Sequence, residues 1–203
     1  MNSLSDLQLD ALTEIFNIGA GRAASSLSEI VGDEVKLSVP CVQLYQSSEI
    51  NAKTLSLSSP RLGAVKQSFS GPFNADAMLL FTEDRVLEIV HDMMASQVGI
   101  EDVAEYEQEA MCELGNIILN ACLSSMADML DLTLNSSLPV YSVGATDAVL
   151  RQIISETNQP LILVLHINLT IEKRHLQGYL VFLLSSSSPQ KLLTHIDRFI
   201  SGI

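Results

Sequence analysis

The chain of 203 residues has few cysteines and few basic residues, and both shortages exclude classes of function. Its three cysteines, Cys41, Cys112 and Cys122, form neither a CxxC pair nor a Cys/His spacing typical of zinc sites, so we expect reduced thiols in or just below the core. Eleven Lys and Arg stand against 24 Asp and Glu, which gives a formal net charge of -13. Because such a charge repels phosphate backbones and acidic lipids, we expect neither nucleic acid nor membrane as a partner.

Long apolar runs are also missing. The longest ones, residues 161–165 and 179–184, fall far short of the roughly 20 residues that cross a bilayer. The first ten residues have no basic start and no continuous apolar stretch, so they do not resemble a secretory signal. We therefore expect a cytoplasmic protein, and a hydrophobic share of 47% is ample for a sizeable core.

An internal repeat appears when the chain is shifted by 99 residues. The shift pairs Glu14 with Glu113, Asn17 with Asn116 and Pro40 with Pro139. The surrounding segments are also similar in sequence, LTEIFNIGAGRAASSLSEIVG in the first half and MCELGNIILNACLSSMADMLD in the second. We infer that one ancestral half was duplicated.

Each half is predicted to run helix, three strands, helix. In the first half we expect a helix over 5–31, opened by a capping box at Ser5, then strands near 35–45, 61–70 and 75–82 and a helix to about 94. In the second half we expect a helix over 104–131, strands near 133–143, 161–171 and 175–184, and a closing helix entered at Pro189. Three strands per half are too few for two separate cores. We therefore expect an α+β fold, a single pseudosymmetric domain over 1–203 whose α-β-β-β-α halves, about 1–100 and 101–203, share a six-stranded sheet.

A polar stripe runs along each long helix. At about 100° per residue, its members lie within roughly 60° of one another, opposite the apolar face. They are Asp10, Glu14, Asn17 and Gly21 on the first helix, and Glu109, Glu113, Asn116 and Asn120 on the second. A single Glu-x-x-Asn suits any solvated helix face, but here it occurs twice, each time with 22 residues before a proline that we expect at a helix-to-strand junction. Chance is then a poor account, although a duplicated surface with no activity stays open as an alternative.

With these paired spacings the chain resembles the CheC, CheX and FliY chemotaxis phosphatases over nearly its whole length. The resemblance implies one sheet with both signature helices exposed on one face. It also implies hydrolysis of the aspartyl phosphate of a CheY-like response-regulator receiver in two-component signalling. In that scheme Asn17 and Asn116 position a water, while Glu14 and Glu113 pair with the active-site lysine of the receiver. The flanking stripe residues Asp10, Gly21, Glu109 and Asn120 would contact the partner, and Pro40 and Pro139 would be structural.

The two motifs depart from the family pattern to different degrees. Glu109 stands where an Asp or Ser is usual, Phe16 where a Gly often precedes the Asn, and residues 118–120 replace the small-residue run 19–21. We therefore expect unequal activities, with the first motif the closer match.

The resemblance also bears on cofactors and partners. It implies that Mg²⁺ is held by carboxylates of the receiver, so we assign no metal site to this chain, and it admits a CheD-like regulator as a second partner. The competing hypothesis is a non-catalytic receiver-binding adaptor or flagellar-switch component. Because no assembly domain is evident after the last predicted strand, we favour a stand-alone enzyme.

Overall fold

Five helices and eight strands make up the computed structural model, which describes residues 4–93, 103–155, 161–171, 174–184 and 188–202. The helices are α1 (Asp6–Val31), α2 (Glu83–Met93), α3 (Val103–Met129), α4 (Thr146–Ser155) and α5 (Ser188–Ser201). The strands are β1 (Val35–Ser38), β2 (Val42–Gln46), β3 (Arg61–Ser70), β4 (Ala75–Thr82), β5 (Asn135–Ser136), β6 (Val140–Ala145), β7 (Leu161–Ile171) and β8 (Arg174–Leu184).

The eight strands occupy six positions in one antiparallel sheet. Its order is β1-β7-β8-β4-β3-β5, with β2 following β1 along β7 and β6 following β5 along β3. At each end of the sheet, therefore, a strand from one half of the chain pairs with a strand from the other half. The predicted α+β class and the shared sheet are confirmed. The sheet has eight strands where six were expected, because each outer position is filled by two short strands instead of one.

The breaks in the outer strands fall at the two repeated prolines. Ser38 pairs with Asn168 and Val42 with Leu165, so three residues of the edge strand face two residues of β7. The same three-against-two mismatch lies between β5 and β6 opposite β3. The prediction that Pro40 and Pro139 mark helix-to-strand junctions is wrong. Both lie inside edge strands, where a bulge tolerates a residue that has no N–H to donate.

Helix α4 is the second departure from the predicted order. The second half was expected to run straight from its first strand to its second, whereas α4 lies between β6 and β7 and buries Val149 and Leu150. The corresponding part of the first half is a short 3₁₀ turn, Ser47–Glu49, followed by coil that buries Ile50 and Leu55. A ten-residue amphipathic helix has too few turns for its periodicity to be recognised in sequence.

Two hydrophobic layers cover the sheet. Along β4, Leu79 and Phe81 face the layer formed with α1, α2, α3 and α5, whereas Met78 and Leu80 face the layer that contains α4. Alternate strand residues point to opposite faces, so each strand serves both layers. As a result, the two long helices lie on the same face of the sheet.

Helix α1 begins and ends as its sequence predicts. The backbone N–H of Ser5 donates to Gln8 Oε1 at 2.8 Å, and the N–H of Gln8 donates to Ser5 Oγ at 3.3 Å, which completes the capping box. The helix ends at Gly32, whose φ of 75° lies in the left-handed region that glycine adopts without steric cost.

Helix α3 packs closely against both the sheet and α1. A Cβ on Gly115 would lie 2.4 Å from Val65 Cγ1, and a Cβ on Gly19 would lie 2.6 Å from Cys122 Cα. Residues Tyr106–Met129 are long and apolar enough to cross a membrane by length and composition, and 61% of the most apolar window is buried inside the fold. The apolar character of this segment is therefore accounted for by its place in the core.

Candidate functional site

The first polar stripe lies on the outer side of α1. Asp10, Glu14 and Gly21 are exposed and Asn17 is half-buried. Leu12 and Phe16, which point the other way, are fully buried. The 3.6-residue period of the helix thus brings the predicted residues together on one accessible surface, with Glu14 and Asn17 one turn apart.

The amide of Asn17 is hydrogen-bonded to Val39, which lies in the break between β1 and β2. Its Nδ2 donates to the carbonyl oxygens of Thr13 at 2.9 Å and Val39 at 2.8 Å, and its Oδ1 accepts the N–H of Val39 at 2.9 Å. Both amide hydrogens and one oxygen lone pair are therefore occupied. Val39 is only 1% exposed, so this contact joins the strand break to α1.

The second polar stripe has the same placement on α3 but different contacts. Glu109 and Glu113 are exposed, and Asn116 and Asn120 are half-buried. Asn120 Nδ2 donates to Asn116 Oδ1 at 2.7 Å. Among the residues that the structure describes, Nδ2 of Asn116 has no hydrogen-bond partner. The amide is thus oriented by Asn120 while both of its donor hydrogens stay available.

The strand break beside Asn116 is held by other residues. Gln67 Nε2 donates to the carbonyl oxygen of Ser137 at 2.8 Å. Ser137 also exchanges bonds with the backbone of Ser68, through its N–H at 2.8 Å and its Oγ at 3.0 Å. Leu138, which corresponds to Val39 in the internal repeat, is 86% exposed. The break therefore lies open in the second half and closed in the first.

The two motif carboxylates carry unpaired charge. Glu14 and Glu113 form no ion pair and no hydrogen bond within the described ranges, and both are exposed. Farther along the two long helices, Arg22 of α1 and Asp128 of α3 form an exposed ion pair at 3.0 Å. A cation brought by a partner could therefore bind either glutamate without displacing an existing contact.

A shallow cleft of about 250 Å³ adjoins the second motif. Asn120 and Ser124 of α3 form part of its wall, and Phe69 of β3 and Ser136 of β5 lie on the strand side. The cleft therefore lies at the Asn120 end of the second polar stripe, because Asn120 belongs to both features.

Two further predictions concern the burial of the cysteines and the assignment of no metal site to this chain. Cys122 is buried, which raises the pKa of its thiol to about 12, while Cys41 and Cys112 are half-buried and free. The expected positions in or just below the core are thus the observed ones. Within the described part of the chain, no group of three or more His, Cys, Asp or Glu side chains is arranged to hold a metal ion.

Sequence reasoning missed Gln67, Ser137 and Val39, which decide what each asparagine contacts. Gln67 did leave a signal, since it is a polar residue between the core-facing positions Val65 and Phe69 of an alternating strand. Val39 and Ser137 left none, because a backbone group that accepts or donates a bond has no mark in the sequence.

Comparisons with known proteins agree with this fold and these motifs. A family model described as the CheC-like family matches residues 7–43, which contain α1 and the first strand break. The CheY-P phosphatase CheC of Bacillus subtilis (strain 168) is 25% identical over 161 residues, covering 78% of this chain and 77% of that protein. The predicted resemblance to the CheC/CheX/FliY family is confirmed.

Two solved structures share the architecture. FliY of Thermotoga maritima superposes with a TM-score of 0.79 at 23% identity, covering 98% of this chain and 100% of FliY. The CheX chain of the CheX-CheY-BeF3-Mg complex from Borrelia burgdorferi superposes with a TM-score of 0.51 at 12% identity, covering 85% of this chain and 96% of CheX. At these identities the likeness establishes the fold.

Proposed function

We propose that this CheC-like chain is a phosphatase that removes the phosphoryl group from the aspartate of a CheY-like receiver domain. We propose further that Glu113 and Asn116 form its more effective site. The observation that supports this choice is the amide of Asn116, which lies on an accessible helix face, is oriented by Asn120 and keeps both donor hydrogens available. The relatives named CheY-P phosphatase and the CheX-CheY complex support the substrate class.

The residue types suit hydrolysis of an acyl phosphate. Such a bond is labile, so catalysis requires a water held in line with the phosphorus more than it requires covalent help. Asn116 Oδ1 keeps a lone pair after accepting from Asn120, and this lone pair would accept a hydrogen bond from the water. Its Nδ2 would donate to an oxygen of the phosphoryl group.

The carboxylate would serve to dock the receiver. Glu113 is exposed, unpaired and about one helical turn from Asn116, so a lysine of the receiver could approach it directly. Asp10, Gly21 and Glu109 would extend the contact surface along the two stripes. In this proposal Mg²⁺ arrives with the receiver and is held by the receiver's own carboxylates, and the reaction takes place in the cytoplasm.

The first pair would act less effectively. Asn17 Oδ1 also keeps one lone pair for a water, but both of its amide hydrogens are bound, to Thr13 and Val39. To donate to the phosphoryl group, Asn17 would have to give up one of these hydrogen bonds, and each contributes about 0.5–1.5 kcal/mol to stability. Sequence analysis favoured the first motif as the more active one, because its residues are closer to the family pattern. The hydrogen bonds favour the second motif, so we propose that Asn116 supplies most of the activity.

The test is phosphate release from a panel of phosphorylated receivers encoded in the same genome. Changing both Asn17 and Asn116 to Ala should abolish the accelerated release while leaving the fold intact. Asn135→Ala is a matched control, since Asn135 is an exposed asparagine on β5 outside both motifs. Undiminished release by the double variant would reject the assignment. If the unchanged protein binds an activated receiver without accelerating release, it is an adaptor.

A further inference from the structure

The sheet register identifies the counterpart of Gln67 on β7. Val42 pairs with Leu165 on one edge, and Tyr141 pairs with Val65 on the other. Val42 and Tyr141 are related by the shift of 99, so β3 residues correspond to β7 residues exactly 100 positions later. Gln67 of β3 therefore corresponds to Ile167 of β7. Each of these two residues lies opposite one of the two strand breaks.

Gln67 is an unusual residue for this place. It is 1% exposed, whereas its counterpart Ile167 is an ordinary member of the hydrophobic core. Its Nε2 donates to the carbonyl oxygen of Ser137, but its Oε1 is buried with no hydrogen-bond partner in the described structure. Burying an unsatisfied polar atom destabilises the fold, so this position carries a penalty that its apolar counterpart avoids.

The two strand breaks are stabilised by different hydrogen bonds, and only the break beside Gln67 carries this penalty. At the break between β1 and β2, Ile167 has no side-chain hydrogen bond to offer, and Asn17 binds both backbone groups of Val39. At the break between β5 and β6, Gln67 binds the carbonyl of Ser137, and Ser137 Oγ donates to the carbonyl of Leu138 at 3.0 Å. The carbonyl equivalent to that of Val39 is thus satisfied without the motif asparagine.

We propose that Gln67 is a positioning residue that holds the second strand break in place of Asn116 and thereby keeps the Asn116 amide available. Gln67 acts through Ser137 and has no contact with the reacting atoms. Removing its side-chain donor lets the break settle against α3 as it does in the first half, where the asparagine amide binds the backbone. The effect on hydrolysis rests on the proposed function, whereas the effect on the Asn116 amide does not.

The first measurement is structural. In the full-length protein labelled with ¹⁵N, the side-chain amide protons of Asn17 should exchange slowly with solvent and those of Asn116 quickly. Gln67→Met, which keeps a similar length without hydrogen-bonding groups, should slow exchange at Asn116 by at least fivefold. Ile167→Met, a change of similar size at the counterpart position, is the control and should leave Asn116 exchange within twofold. Unchanged exchange at Asn116 in a folded Gln67→Met protein would overturn the proposal.

A second variant covers the case in which Gln67→Met does not fold. Ser137→Ala changes an exposed residue and removes the Oγ contacts with Ser68 and Leu138, so it should shift Asn116 exchange in the same direction. If Asn116 exchange stays as fast as in the unchanged protein, the proposal fails.

The second measurement is kinetic and separates the two proposals. In an Asn17→Ala background, Gln67→Met should lower kcat for release from a phosphorylated receiver by at least fivefold and leave KM within twofold. An equal loss in both parameters, or none, would reject a positioning role. If Asn116 exchange slows as expected but no variant, including the unchanged protein, accelerates release, then the phosphatase function fails and the role of Gln67 stands.

Discussion

In the first half the amide of Asn17 binds both backbone groups of Val39, whereas in the second half Asn116 contacts Asn120, and Leu138, in the place of Val39, points to solvent. The two long helices, the strand breaks and the positions of the four motif residues are otherwise equivalent. Duplication thus preserved the local geometry of the motif but not the partners of its amide. A repeated motif need not give two equal sites.

The difference comes from residues outside the motif. Asn120 replaces Gly21 and gives Asn116 a side-chain partner on its own helix. On the strand side, Gln67 replaces an isoleucine and binds Ser137. Each replacement provides a contact for the motif asparagine or for the strand break that the other half lacks. Four pairs of substitutions test whether the two sites differ in this way.

The largest expected effect is on catalysis. Asn116→Ala should lower the rate of phosphate release on the order of a hundredfold, because it removes the amide that we propose positions the water. Asn17→Ala should lower it less than about threefold, because that amide is occupied by Val39. Initial rates with one phosphorylated receiver, with Asn135→Ala as the control, give the answer. Equal losses would contradict the inequality of the two sites.

The next effect concerns the stability of the two strand breaks. Val39→Ala should lower the free energy of unfolding by about 2 kcal/mol, because it removes a side chain that is buried against α1. Leu138→Ala should change it by less than about 0.5 kcal/mol, because Leu138 already faces solvent. Urea unfolding followed by circular dichroism measures both values. A large loss at Leu138 would show that the second break is closed in solution.

A smaller effect is expected when the asparagines themselves are compared for stability. Asn17→Ala leaves both backbone groups of Val39 unpaired and should cost about 1–2 kcal/mol. Asn116→Ala removes one bond between half-buried side chains and should cost less than about 1 kcal/mol. The same unfolding experiment applies, and the reverse order of the two costs would rule out the assigned contacts.

The smallest effect concerns the two exposed glutamates. Glu113→Gln should weaken binding of an activated receiver by about 0.5–1 kcal/mol and reduce the dependence of binding on salt, because a charge pair in contact with solvent is lost. Glu14→Gln should weaken it less if the second site is the one that engages the receiver. Calorimetric titration at two salt concentrations tests this, and a greater effect at Glu14 would assign docking to the first half.

Most elements could be predicted because their apolar periodicity is long enough to read. The boundaries of β3, β4 and β7 are those expected from sequence, and α1 begins at its capping box. Two features were missed for physical reasons. Helix α4 has fewer than three turns, and the breaks at Pro40 and Pro139 depend on how two strands of different halves pair, which a local pattern does not encode.

The placement of each Glu and Asn pair on one exposed helix face follows from the sequence alone, because residues three apart on a helix are neighbours whatever surrounds them. Which asparagine has its amide available depends on the tertiary structure. That outcome depends on Val39, 22 residues from Asn17, and on Gln67 and Ser137, which the sheet brings together from 70 residues apart. In each of these bonds the partner of the side chain is a backbone group, which every residue carries, so the pairing is set by the fold and not by the motif.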